Sequence, residues 1–84
     1  MVISERAVVV STAGHDKGVI FAVIGLTQEE YALIADGKVR KLEKPKKKKL
    51  KHLEMIGILE QKIPMQTNRQ LKNALKAFRG SQGR

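Results

Sequence analysis

Apolar residues come in short blocks through most of this chain and switch to helical spacing near its end. Ala7-Val8-Val9-Val10-Ser11 predicts a first strand over about residues 6–11, because β-branched side chains fit a pleated, half-buried surface. A second strand over about 18–26 is apolar on both faces, with Ile20, Ala22, Ile24 and Leu26 on one and Val19, Phe21 and Val23 on the other. Thr27-Gln28-Glu29-Glu30 makes the next turn, and Tyr31-Ala32-Leu33-Ile34-Ala35 is a third strand. Asp36-Gly37 is a strong hairpin dipeptide that leads into a fourth strand, Lys38-Val39-Arg40-Lys41-Leu42, with Val39 packed and its neighbours cationic. Pro45, which has no N–H for a ladder, ends that strand, and a short fifth strand near Leu50–Glu54 closes the sheet. Five short strands with hairpin connections predict a mostly β fold, a small SH3-like five-stranded barrel.

The end of the chain reads differently. Thr67 and Gln70 form a capping box, followed by Leu71, Ala74, Leu75 and Phe78 on one face and Arg69, Lys72, Lys76 and Arg79 on the other. This predicts a C-terminal α-helix over about 68–79 with Gly80 in the C-cap position. One face of strand two fills the barrel, so the apolar stripe of the helix is expected to cover the other. Residues 55–63 allow a helical turn by spacing, which Gly57 opposes and Pro64 stops. The predicted organisation is a barrel with a basic extension over 1–54, and a linker plus amphipathic helix over 55–84 in the same domain.

Charge sharpens the picture because it is unevenly placed. Of the net +9 carried by 84 residues, residues 1–37 contribute −3, residues 38–51 contribute +8 and residues 52–84 contribute +4. One short stretch therefore supplies nearly the whole excess, the mark of a binding face rather than a generally basic surface. The absence of cysteine excludes disulfides and thiolate metal sites. No secretory leader is recognisable after Met1, and the apolar run Val19–Ile24 is far short of the ~20 residues of a membrane span, so a cytoplasmic protein with no membrane partner is expected.

Two groups of residues carry candidate chemistry. The first loop, Gly14, His15, Asp16, Lys17 and Gly18, is polar, and its glycines let another backbone approach closely. The second group is Lys38, Arg40, Lys41, Lys44, Lys46, Lys47, Lys48, Lys49, Lys51 and His52, a cationic array matched to a polyanion through counterion release. Adjacent His15 and Asp16 lack the separate anchoring of a catalytic pair, and His15 with His52 falls short of a metal ligand set, so neither an enzyme, a metal site nor any cofactor is expected. Lysines engage phosphates rather than bases, and with only Phe21, Tyr31 and Phe78 the chain offers few stacking platforms. The reading is a monomeric RNA-binding module that recognises structured RNA by shape and backbone. The alternative is an adaptor docking on ribosomal proteins or RNA polymerase; an anionic membrane surface ranks below both.

The stretch Arg6–Glu30 resembles the KOW motif, with Val8-Val9-Val10-Ser11 before a central glycine matched by Gly14, then Asp16-Lys17-Gly18 and Val23-Ile24-Gly25 after it. The continuation through Asp36-Gly37-Lys38-Val39-Arg40 and Glu43-Lys44-Pro45-Lys46-Lys47-Lys48-Lys49-Leu50-Lys51-His52-Leu53 is similar to the stand-alone KOW proteins grouped with eukaryotic-type large-subunit ribosomal proteins. That resemblance covers about residues 4–53 and implies an SH3-like barrel, a role in translation and RNA, usually ribosomal RNA, as partner. In that family the loop matching Ala13–Gly18 and the basic surface beside it contact RNA. The C-terminal tail lies outside the resemblance.

Overall fold

Strands form where β-branched residues are dense and where the other face of the sheet finds a cover. The computed structural model describes residues 3–82. Its strands are β1 (Ala7–Ser11), β2 (Ile20–Leu26), β3 (Tyr31–Ala35), β4 (Lys46–Lys49) and β5 (Leu53–Ile58), with one helix, α1 (Asn68–Gln82). They form a single antiparallel sheet in the order β4-β3-β2-β1-β5. No helix among the described residues is long and apolar enough to cross a membrane.

Both faces of β2 are buried, as its sequence requires. Phe21 and Val23 pack with Ala7, Val9, Ala32, Ile34 and Leu53 on one side. Ala22 packs with Val8 and Ala35 under Leu71, Ala74 and Leu75 of α1 on the other. The helix is therefore the cover that the apolar outer face of β2 called for.

The connection between β4 and β5 bends the sheet. These strands occupy opposite edges, yet only the three-residue 3-10 turn Leu50–His52 joins them. The edges of a flat five-stranded sheet lie about 19 Å apart, four spacings of 4.8 Å, whereas one 3-10 turn rises about 6 Å. The sheet must curl until the end of β4 meets the start of β5. Leu50 N donates to Glu30 O at 3.0 Å and Thr12 N to His52 O at 2.9 Å, tying the turn to both sides of the curl. Register shifts at Val8/Val9 and at Val23–Gly25 add local bends. No ladder joins β4 to β5 among the described residues, so the sheet remains open along that seam.

Three expectations need correction. The fourth strand is the lysine run itself, not Lys38–Leu42. Asp36 Oδ1 accepts the N–H groups of both Lys38 and Arg40 at 2.9 Å, and Arg40 O accepts from Asp36 N and Gly37 N. This side-chain-led turn outcompetes a hairpin, and Asp36 is not among the residues with the positive φ that a type I′ turn demands of it. Pro45 accordingly precedes β4 instead of ending a strand. The fifth strand starts at Leu53 and runs to Ile58, taking in residues 55–58 of the segment whose spacing allowed a helical turn. Finally, α1 continues through Gly80 to Gln82, so Gly80 is no C-cap. The capping box stands: Gln70 N donates to Thr67 Oγ1 at 3.1 Å and Thr67 N to Gln70 Oε1 at 3.2 Å.

Arg6, which the sequence pattern did not single out, clamps the linker. Its guanidinium donates to the carbonyls of Leu59 (3.2 Å), Ile63 (2.6 Å) and Glu60, holding the segment between β5 and α1 against the start of β1.

Candidate nucleic-acid interface

The loop between β1 and β2 is built by its own backbone and then fastened from outside. Gly18 N donates to Ser11 O at 2.8 Å, Val19 N to Asp16 O at 2.8 Å and Lys17 N to Gly14 O at 3.2 Å. Gly14 has φ +80°, the left-handed conformation that its place in the sequence anticipated. Asp16 is turned inward, only 8 % exposed. Lys46 Nζ and Arg40 Nη2 both reach its Oδ2, at 2.9 and 3.2 Å. The Lys46 ammonium first, and then the Arg40 guanidinium, hold the Asp16 carboxyl below its ordinary range against the opposing pull of burial. Lys48, equally buried, donates from Nζ to Ala13 O at 2.8 Å. The tip left exposed consists of Gly14, His15, Lys17 and Gly18.

Strand β4 thus divides its four lysines by parity. Lys46 and Lys48 lie opposite Ile34 and Ala32, whose side chains belong to the inner core, and both point their ammonium groups into the loop. Lys47 and Lys49 lie opposite Leu33 and Tyr31 on the other face and are exposed. Lys47 Nζ sits 4.8 Å from the centre of the Tyr31 ring and 3.6 Å from Glu29 Oε1. Lys49 and Lys51 flank the same ring and share with Glu29 and Glu30 a shallow depression of about 330 Å³. One aromatic face with three lysines around it is the outward part of this surface.

The remaining candidates separate in space. Arg40 is fixed to Asp16, and its buried Nε–H has no partner among the described residues. Lys44 is exposed beside Pro45, while His52 is half-buried and contributes its carbonyl to the sheet. Lys38 and Lys41 line a groove against α1, and Lys41 also borders a hollow with Lys44, Pro45 and Lys46. The structure therefore brings Asp16, Arg40, Lys46 and Lys48 together as an internal fastening of the loop. It leaves Lys17, Lys47, Lys49 and Lys51 outward, and joins Lys38 and Lys41 to the cations on the helix face opposite the apolar stripe. The signal for those was present, since Arg69, Lys72, Lys76 and Arg79 recur at helical spacing; their neighbours across the groove were not legible.

Among the described residues, no group of three or more His, Cys, Asp or Glu is placed to hold a metal ion. No protein-family model matches the chain, and a search of curated proteins returns no match.

Proposed function

We propose that this protein is a non-catalytic, cytoplasmic RNA-binding module that grips the phosphate backbone of structured RNA, ribosomal RNA foremost. The observation that carries the reading is the parity of β4. Its inner lysines immobilise the Gly14–Gly18 loop, and its outer lysines project from an ordered strand, Lys47 against the Tyr31 ring and Glu29, with Lys49 and then Lys51 exposed beyond it. Cations held on a fixed frame lose little entropy when a phosphate arrives, and counterion release then drives association. The curled five-stranded sheet supports the likeness to SH3-like KOW barrels, as does the β1–β2 hairpin with Gly14 at positive φ. That likeness is what points to ribosomal RNA in particular.

Paired substitutions test the reading. Lys47→Gln with Lys49→Gln should flatten the dependence of log affinity on log salt by about 1.4–1.8 while leaving the melting temperature in place. Lys46→Gln with Lys48→Gln should lower the melting temperature, because it unfastens the loop. Unchanged salt dependence in the first pair would remove the phosphate-contact role from β4. Sedimentation of a lysate on a sucrose gradient, with and without nuclease, separates this reading from an adaptor. RNA binding predicts migration that nuclease abolishes, and a stoichiometric protein partner that survives nuclease would overturn it.

A further inference from the structure

A strongly cationic concavity lies between the 36–43 loop and α1. The 36–43 loop and the exposed face of α1 enclose a groove of about 990 Å³, with Lys38 and Lys41 on one wall and Arg69, Lys72, Lys76 and Arg79 on the other. Among the described residues no carboxylate lines it. The first turn of α1 carries no acidic residue of its own; the Glu43 carboxylate meets the helix start through Asn68 and does not line the groove.

The walls are fixed to each other. Asn68 Oδ1 accepts from Leu42 N at 2.7 Å, and Asn68 Nδ2 donates to Glu43 Oε1 at 2.8 Å. Gly37, at φ +78°, lies so close to the helix that a Cβ there would stand 2.2 Å from Asn68 O. The groove is thus a built feature of the fold and not a chance gap between two loose segments. Along the helix its cations are spaced by three, four and three residues, and like charges at such spacings destabilise a helix by about 0.2–0.5 kcal/mol per pair. A polyanion in the groove relieves that repulsion. From Arg69 to Arg79 the helix rises about 15 Å, room for several consecutive phosphates rather than one.

We propose that this groove holds a second stretch of RNA phosphate backbone, distinct from the one at β4. It thereby extends the footprint from the Gly14–Gly18 loop across the 36–43 loop to the helix. The two surfaces are contiguous, because Val19, next to Gly18, lines a smaller hollow together with Lys38, Lys72 and Arg79, with Asp36 as its one acid among the described residues. The inference rests on the RNA-binding reading above. It adds that the helix, beyond covering the sheet, is half of the binding surface.

Two changes test it without touching the core. Lys72→Gln, Lys76→Gln and Arg79→Gln in one chain alter only exposed positions. Because the chain has no cysteine, Asn73→Cys in the groove wall provides a single attachment point for a neutral polyethylene glycol maleimide, which blocks the groove without changing its charge. Binding to a fluorescein-labelled RNA stem-loop is then titrated against salt for both, beside the unaltered protein and Lys47→Gln with Lys49→Gln. The triple variant should lose about 2–2.7 of the salt slope and at least tenfold in affinity at low salt. The blocked N73C protein should also weaken, whereas the same adduct on Q61C, outside the groove, should not. Wild-type slope in the triple variant together with wild-type affinity in the blocked protein, while the β4 pair still weakens binding, would overturn the groove and leave the RNA reading standing. No salt-dependent binding by the unaltered protein would overturn both. Loss of binding to phosphatidylserine vesicles in the triple variant, with stem-loop binding intact, would assign the groove to a membrane surface and overturn the proposal.

Discussion

Asp16→Asn removes one charge and keeps the shape, which makes it a clean probe of how the loop is held. The Asp16 side chain is 12 % exposed and accepts two charge-assisted bonds, from Lys46 at 2.9 Å and Arg40 at 3.2 Å. Hydrogen bonds to charged groups contribute about 1.5–3 kcal/mol each. The two cations keep 33 % and 32 % of their side-chain exposure and recover water when released, which reduces the combined loss. A destabilisation of roughly 2 kcal/mol follows, or about 8–16 °C in melting temperature for a chain of this size. The pH dependence carries the sign. The folded-state pKa of Asp16 is depressed, so its contribution is present above the unfolded-state value of about 3.9 and is lost as pH falls through the lower folded-state value. Melting curves followed by circular dichroism from neutral to strongly acidic pH should therefore show a wide gap between wild type and Asp16→Asn near neutrality that closes in acid. Glu43 is depressed in the same direction by its bond from Asn68, but it is common to both proteins and cancels in the difference. A gap of less than about 2 °C at neutral pH, or one that keeps its full size in strong acid, would refute the assignment of Asp16 as the fastening point.

Leu75 is 2 % exposed among Val8, Ala22 and Ala35, and Leu75→Ala should cost about 2–5 kcal/mol in thermal unfolding; a variant melting like wild type would show that α1 does not seal the sheet. Gly37→Ala forces both a strained φ of +78° and a clash with Asn68 O, so it should destabilise by roughly 1–3 kcal/mol or more and open the groove, visible as loss of protection of the Leu42 amide in hydrogen exchange.

Strands β1, β2 and β3 and the start of α1 were legible because the signals that make them are local: valine density, a turn of Thr27 to Glu30, and a capping box whose two bonds form within four residues. The position of β4 was not. Lys38–Leu42 offers the better local alternation, and lysine has little intrinsic preference for strands. Lys46–Lys49 became a strand through partners remote in sequence: Ile34 and Ala32 supply its ladder, while Asp16 and Ala13 receive its inner ammonium groups. Asp36 meanwhile used its side chain to satisfy the backbone of Lys38 and Arg40, a local device that reads equally well as a hairpin dipeptide. Of the candidate site, the outward cations and the exposed loop tip could be read from charge and turn residues. The inward ones could not, since a lysine run carries no mark of which members face a buried carboxylate. The clamp of Arg6 on Leu59 and Ile63 spans more than fifty residues and has no local signature at all.

Formal charge therefore overstates what the lysine-rich stretch can present to a partner and understates the share of the helix. Residues 38–51 carry nine cations. Arg40 and Lys46 share one carboxylate, which offsets one of their two charges, and Lys48 is buried with its ammonium on a carbonyl. These three shape the loop rather than meet a phosphate. The outward members divide between the Tyr31 side and the groove, where α1 adds Arg69, Lys72, Lys76 and Arg79. Replacing Lys46–Lys49 as a block would confound the two roles, lowering stability through Lys46 and Lys48 and altering binding through Lys47 and Lys49. Only the parity-separated pairs distinguish a charge that holds the binding surface together from a charge that binds.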